Sequence, residues 1–256
     1  MPTVGVAGAD LYYEVTGDAG PWLAFLHGGG GNHLSWWQQV PHFSRSYRCL
    51  TLDMRAYGLS TGEPAADLDR NADDLIALLD HLGVPRTFLV CQSIGGAAAF
   101  GLAVRQPQRV GGLVMADTDL GVPVLEVWRH RVDRLEQGRR SGGLWARSFP
   151  EREPAKAFLY QQIGALNARP GERAGQRSLA VLEPVPVDLA SFRVPTLFLC
   201  GSEDTLCPPE ACRNAVAHVP GSRYVEVPRA GHSAYFEQPE IFNREVEAFL
   251  EGCAAP

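Results

Sequence analysis

The stretch Thr87-Phe88-Leu89-Val90-Cys91-Gln92-Ser93-Ile94-Gly95-Gly96 passes from an unbroken apolar run into a serine followed by two glycines, and then into the helix pattern Gly95 to Arg105. It predicts a buried strand driven through a tight turn into a helix. A turn of this kind puts strained backbone angles on the serine and lifts its hydroxyl out of the fold, while Gly95 and Gly96 let the helix pack close beneath it. The pattern is G-x-S-x-G with Cys91 in the first place, one small residue standing for another. Serine also caps helices routinely, so the turn gains meaning only from what surrounds it.

Outward from this turn, strand-length apolar runs recur at Leu11 to Val15, Trp22 to Leu26, Arg48 to Leu52, Thr87 to Val90, Gly112 to Met115, Thr196 to Leu199 and Arg223 to Val227. Most do not alternate, which is the mark of a mostly parallel sheet covered by helices on both faces. Helices are expected at Asn71 to Leu82, with Leu75, Leu78, Leu79 and Leu82 on one side, and at Gly95 to Arg105. Alternating β and α units imply right-handed crossovers and one doubly wound α/β layer. Between Ala116 and Val194 lie roughly 75 residues of different texture, too long for a plain connection. Their segments Val124 to Arg140, Glu153 to Asn167 and Glu172 to Leu182, separated by Gly and Pro breaks, predict short helices. The expected organisation is a core of residues 1–118 and 192–256 with a helical cap over 119–191.

Composition narrows the function classes. A chain of 256 residues with 45% hydrophobic and 20% charged residues is ordinary for a globular enzyme. Its net charge of -6 argues against nucleic acid, and the basic cluster Arg129 to Arg140 is interrupted by Asp133 and Glu136. The amino terminus has neither a basic start nor a long apolar core, and no apolar stretch reaches membrane-spanning length. The six cysteines include no C-x-x-C pair. They fit a reducing compartment, so a cytoplasmic protein without metal or cofactor is expected, with no membrane or nucleic-acid partner. Oligomeric state is not legible.

Four motifs together resemble the α/β-hydrolase family over nearly all of the chain except the cap. Leu26-His27-Gly28-Gly29-Gly30-Gly31 looks like the family's oxyanion loop, and Cys91 to Gly96 looks like its nucleophile elbow. Gly201-Ser-Glu-Asp204-Thr-Leu-Cys-Pro208-Pro209 looks like the acid loop, and Gly231-His232-Ser233 looks like the histidine loop. The resemblance implies an eight-stranded, mostly parallel sheet. It also implies a nucleophile, acid and histidine in the order Ser93, Asp204, His232, delivered by parallel strands to one sheet edge. In that reading His232 takes the proton of Ser93 and returns it to the leaving group, while Asp204 fixes the tautomer. The N–H groups of Ile94 and Gly29 would hold the oxyanion.

Asp117, which ends Leu113-Val-Met-Ala-Asp117, competes with Asp204 for the acid's place; Asp204 before Pro-Pro is the closer match, and Asp117 is the alternative or an anchor for the cap's entrance. Asp53-Met-Arg55-Ala56-Tyr-Gly58-Leu-Ser60 resembles the family's D-x-R-G-x-G-x-S turn, with Ala56 in a glycine's place, which puts the local turn angles in question. His27 is expected as a buried support, Trp36 and Trp37 as packing residues, and Trp128, Trp145 and Phe149 as candidates to line the pocket. The resemblance points to a serine hydrolase of small carboxylic esters or lactones. The alternatives are a carbon-carbon bond hydrolase of aromatic degradation, whose glycine loop resembles His27 to Gly30, a cofactor-free perhydrolase, and a non-catalytic small-ligand receptor of the same fold.

Overall fold

The computed structural model describes residues 1–65, 67–136, 143–167 and 182–253. Its strands are β1 (Thr3–Val6), β2 (Ala9–Thr16), β3 (Trp22–Leu26), β4 (Arg48–Leu52), β5 (Thr87–Gln92), β6 (Val110–Ala116), β7 (Thr196–Gly201) and β8 (Arg223–Val227). They form one eight-stranded sheet in the order β1-β2-β4-β3-β5-β6-β7-β8. Pairing is antiparallel from β1 to β2 and from β2 to β4, and parallel at every other junction. The apolar runs mark all of these strands but β1. Only Val4 of β1 is buried, so that edge strand carries no apolar run to read.

Helices follow as α1 (Val40–Phe43), α2 (Leu68–His81), α3 (Gly95–Arg105), α4 (Leu125–Glu136), α5 (Phe149–Arg152), α6 (Pro154–Ala165), α7 (Pro209–His218), α8 (Ala234–Glu237) and α9 (Pro239–Glu251). α2 starts three residues ahead of the expected Asn71 because the Asp67 carboxylate accepts the Arg70 N–H at 2.7 Å and caps the first turn. Along β5 every residue is buried. Its side chains alternate between two cores: Leu89 and Cys91 join Leu75, Leu78 and Phe100 of α2 and α3, whereas Phe88 and Val90 join Phe43, Phe242 and Phe249 of α1 and α9. A strand buried on both faces needs no polar residue, which is why it reads as a continuous apolar run. Each fully buried Leu or Phe contributes about 1.5–3 kcal/mol.

Between β6 and β7 the chain departs from the sheet. α4 packs against α7, and its Arg131 and Arg134 both pair with the buried Asp119. α6 reaches the loop after β3: Asn32 Nδ2 donates to Ile163 O at 2.8 Å, and Asn167 Nδ2 to Gly30 O at 2.7 Å. The helix expected at Glu172 to Leu182 lies outside the described residues, Leu182 excepted. Among the described residues no helix is long and apolar enough to cross a membrane.

The turn after β4 is built on Asp53. Its carboxylate accepts the His33 N–H at 2.6 Å and the Leu59 N–H at 2.7 Å, and Arg55 grips Asp74 through two bonds of 2.6 Å. Ala56 takes φ 65°, the left-handed region that the sequence placed in question. A Cβ is strained there. Ala56→Gly is therefore expected to stabilise the protein by up to about 1 kcal/mol, relief of strain outweighing the added freedom of the unfolded chain; the check is a rise in thermal midpoint.

Candidate active site

Three loops at the carboxyl ends of the parallel strands converge. Ser93, one residue beyond β5, takes φ 50°, a cost of about 1–3 kcal/mol for a residue with a Cβ. The turn holds because α3 sits unusually close. A Cβ on Gly95 would come within 2.6 Å of Leu26 O, and one on Gly96 within 2.3 Å of Leu120 O. Ile94 precedes α3, so its N–H belongs to the amides a helix leaves without an internal partner. The glycine loop lies alongside: a Cβ on Gly28 would stand 1.7 Å from Gln92 Oε1 and 3.0 Å from Ser93 Cβ. His27, fully buried, fixes that loop by bonding Gly28 O at 2.8 Å and accepting the Met54 N–H at 3.0 Å. With one ring nitrogen accepting from an amide, His27 is neutral, and burial lowers its pKa.

His232 Nε2 stands 2.9 Å from Ser93 Oγ, and His232 Nδ1 stands 2.8 Å from Asp204 Oδ2. The second oxygen of Asp204 accepts the N–H groups of Leu206 and Cys207 at 2.8 and 2.9 Å. That leaves Oδ2 aimed at the ring. Burial works against the imidazolium, yet the charge of Asp204, its hydrogen bond, and the further charges of Asp117 and Asp119 hold the His232 pKa above its usual value. An imidazole so placed can accept a proton from the hydroxyl and remain beside a carboxylate that stabilises the cation.

Asp117 is brought to the same place but into another role. It also takes a left-handed backbone, φ 51°, and its carboxylate accepts the Gly201 N–H at 2.8 Å and the Ala234 N–H at 3.0 Å. Both oxygens are occupied in tying β7 to the helix after His232. The imidazole nitrogen is bonded to Asp204 instead. Burial first, then the charge of Asp204, raises the Asp117 carboxyl to about 8.

Several supporting residues escaped the reading of the sequence. Gln92 donates to His232 O at 2.6 Å, Thr118 Oγ1 donates to Ser93 O at 2.9 Å, and Glu237 accepts the Gly231 N–H at 2.8 Å. Gln92 occupies the first variable position of the G-x-S-x-G pattern, which says nothing of its role, and Glu237 carries no signal. Trp36 is fully buried against Phe25 and Tyr235, and Trp37, more than a third exposed, meets the edge of Phe236. Phe149, expected to line the pocket, is instead fully buried in the core with Phe236 because α5 folds down onto that cluster. Trp145 stacks edge-on with Tyr160 at 5.0 Å.

A strand, a serine elbow, a glycine loop and a histidine loop gathered at one sheet edge define a hydrolase-like class of α/β protein. Residues 23–245 match the Alpha/beta hydrolase family, and the chain belongs to that family and has its fold. It is 28% identical over 250 residues to a 3-oxoadipate enol-lactonase 2 of Acinetobacter baylyi, with 94% of this chain and 93% of that one covered. An esterase structure from Thermogutta terrifontis superposes with a TM-score of 0.79 at 27% identity, covering 98% of this chain and 99% of the other. An enol-lactonase structure from Burkholderia xenovorans LB400, at 23% identity, shares the fold with a TM-score of 0.80 over 98% of this chain and 100% of its own. Esterase-like and lactonase-like relatives support hydrolase activity.

Asp117 supplies a pH signature. Its folded-state pKa, about 8, lies above the ordinary carboxylate value of 3.8, so its contribution to stability is fully present below the unfolded value and is lost as pH rises through the folded one. Asp117→Asn removes that dependence. The stability difference, parent minus variant, is expected to fall between about pH 4 and pH 8 in denaturant titrations.

Proposed function

We propose that the protein is a serine hydrolase that cleaves a small carboxylic ester or lactone through an acyl-enzyme on Ser93. The observation that carries this reading is the unbroken chain of two bonds, 2.9 Å from Ser93 to His232 and 2.8 Å from His232 to Asp204, beside a glycine loop. A serine hydroxyl is a poor nucleophile until a base removes its proton as the new bond forms. His232 is that base. The Ser93 oxygen attacks the carbonyl carbon, the proton passes to Nε2, and the negative charge collects on the carbonyl oxygen. The N–H groups of Ile94 and Gly29 are the proposed donors to that oxygen, each worth roughly 3–4 kcal/mol in the transition state.

Collapse of the tetrahedral species expels the alcohol, which leaves with the proton held by His232. Water then repeats the sequence on the acyl-enzyme and releases the acid. In a lactone both products stay in one molecule. Asp204 keeps the proton-bearing nitrogen pointed away from Ser93 and stabilises the imidazolium. The segment between β6 and β7 serves as the cap of this site, and the partner is a small-molecule ester or lactone substrate. The relatives named for esterase and enol-lactonase activity support the choice of ester and lactone bonds.

Ser93→Ala is expected to abolish turnover of nitrophenyl acetate and butyrate, and to abolish the mass adduct that a fluorophosphonate leaves on the parent; an adduct elsewhere would remove Ser93 from the scheme. Asp204→Asn should lower kcat by about 10,000-fold with the fold intact, because the ring takes the wrong tautomer. The base works only when neutral. Since the His232 pKa is raised above 6.5, the acid limb of kcat/KM should lie above that value, with activity gained as pH rises through it.

A further inference from the structure

His232 is held from both sides by a segment that comes from outside the sheet. The backbone of Trp145 and Ala146 lies directly on Gly231, where a Cβ would come within 2.3 Å of both Trp145 C and Ala146 N. One carboxylate fastens the two strands of chain together: Glu237 accepts the Gly231 N–H through Oε1 at 2.8 Å and the Ala146 N–H through Oε2 at 3.0 Å. On the other flank, Ser233 Oγ donates to Leu144 O at 2.7 Å and meets the Tyr160 hydroxyl at 3.0 Å. Of the two neighbours of the imidazole in sequence, Ser233 is bonded directly to Leu144 and Gly231 is linked to Ala146 through Glu237.

Glu237 is only 3% exposed. Burying a carboxylate is costly, and a structural tie alone does not need a charge. What a carboxylate offers is two acceptor oxygens and no donor, so that each oxygen takes an N–H from a different segment, Gly231 on one and Ala146 on the other. A glutamine there would turn its own NH2 onto one of them.

We infer that Glu237 is a positioning residue, clamping the histidine loop to residues 144–146 so that the docking of that segment sets where the His232 imidazole stands. The inference rests on the reading of Ser93 as nucleophile. It gives Glu237 a second consequence. Burial raises its carboxyl to about 7, against the pull of the two amide bonds and of Arg152. The groups facing it are Tyr235 on its own helix, Tyr160 on α6 and Arg152 on α5, with His232 in the clamped loop. Both tyrosines are pushed upward by burial and stay neutral, and Arg152 bonds Arg229 O and Ser148 Oγ. Asp117, its carboxyl raised to about 8 by burial and the charge of Asp204, bonds the Ala234 N–H in the same loop and gains its proton first as pH falls; alongside His232, Glu237 follows. Its added proton turns one acceptor oxygen into a hydroxyl facing an N–H, and the clamp keeps one bond of its two.

The test is Glu237→Gln in the full chain. Expected are a fall in kcat of up to about 100-fold, as for a catalytic group displaced by 1 Å, with KM changed far less. The low-field Nδ1 proton resonance of His232 should shift or broaden. The acid limb of kcat/KM, steeper than one proton in the parent, should lose the contribution of Glu237 and become shallower. A folded variant with parental kcat, limb slope and resonance overturns the inference, as does a loss of activity that matches the loss of folded protein. Should Glu237→Gln not fold, Ser233→Ala cuts the tie to Leu144 on the other flank; a displaced resonance with lowered kcat is expected, and parental values for both overturn the inference. The parent is assayed first. If it neither turns over esters nor takes a phosphonate on Ser93, the nucleophile reading fails, while the resonance still reports whether Glu237 places the imidazole.

Discussion

The left-handed backbone at Ser93 is the constraint on which the rest of the site depends. A residue with a Cβ adopts it only when its surroundings leave no cheaper choice. Here those surroundings are two helix residues without side chains. Gly95 and Gly96 let α3 approach the carbonyls of Leu26 and Leu120 more closely than any Cβ would allow, and that approach lines up the end of β5, the glycine loop after β3 and the loop after β6. Substituting either glycine would push α3 outward and move the serine with it. The apolar sheet supplies the rigidity, since β5 is buried on both faces and its side chains are shared between the two cores.

Around the imidazole the dominant physics is the satisfaction of buried backbone groups. His232 O is taken by Gln92, the Ala234 N–H by Asp117 and the Gly231 N–H by Glu237. Each partner comes from a different part of the chain, so the loop has few ways to relax. The arrangement concentrates acidic groups. Asp117 and Glu237 are buried with their pKa values raised, and the charge of Asp117, with those of Asp204 and Asp119, offsets the penalty that burial places on a cationic imidazole. Stability and the proposed chemistry are thus in tension: the buried acids cost folding energy and hold the ring where a proton can be passed.

The serine elbow was legible because it is local: an apolar run, a serine and two glycines fall within ten residues. The same holds for the core helix α3, whose limits follow from the glycines at its start and the break after Arg105. β1 was not legible, since it has a single buried residue, and the start of α2 was misplaced because a side-chain cap rather than apolar spacing decides it. Phe149 was read as a pocket residue when it is core. An aromatic residue in a helical insertion looks the same in sequence whichever way its helix turns.

The chain order by itself determined the class of fold and the candidates Ser93, Asp204 and His232, because parallel strands carry their following loops to one edge whatever lies between them. The choice between Asp204 and Asp117 belonged to tertiary structure. Both acids end or follow neighbouring strands, and only the direction of each carboxylate separates them: one oxygen of Asp204 meets the imidazole, while both oxygens of Asp117 are consumed by backbone amides. Hydrogen bonds between groups distant in sequence leave no periodic trace, so the supports of His232 emerge only once the sheet has brought them together.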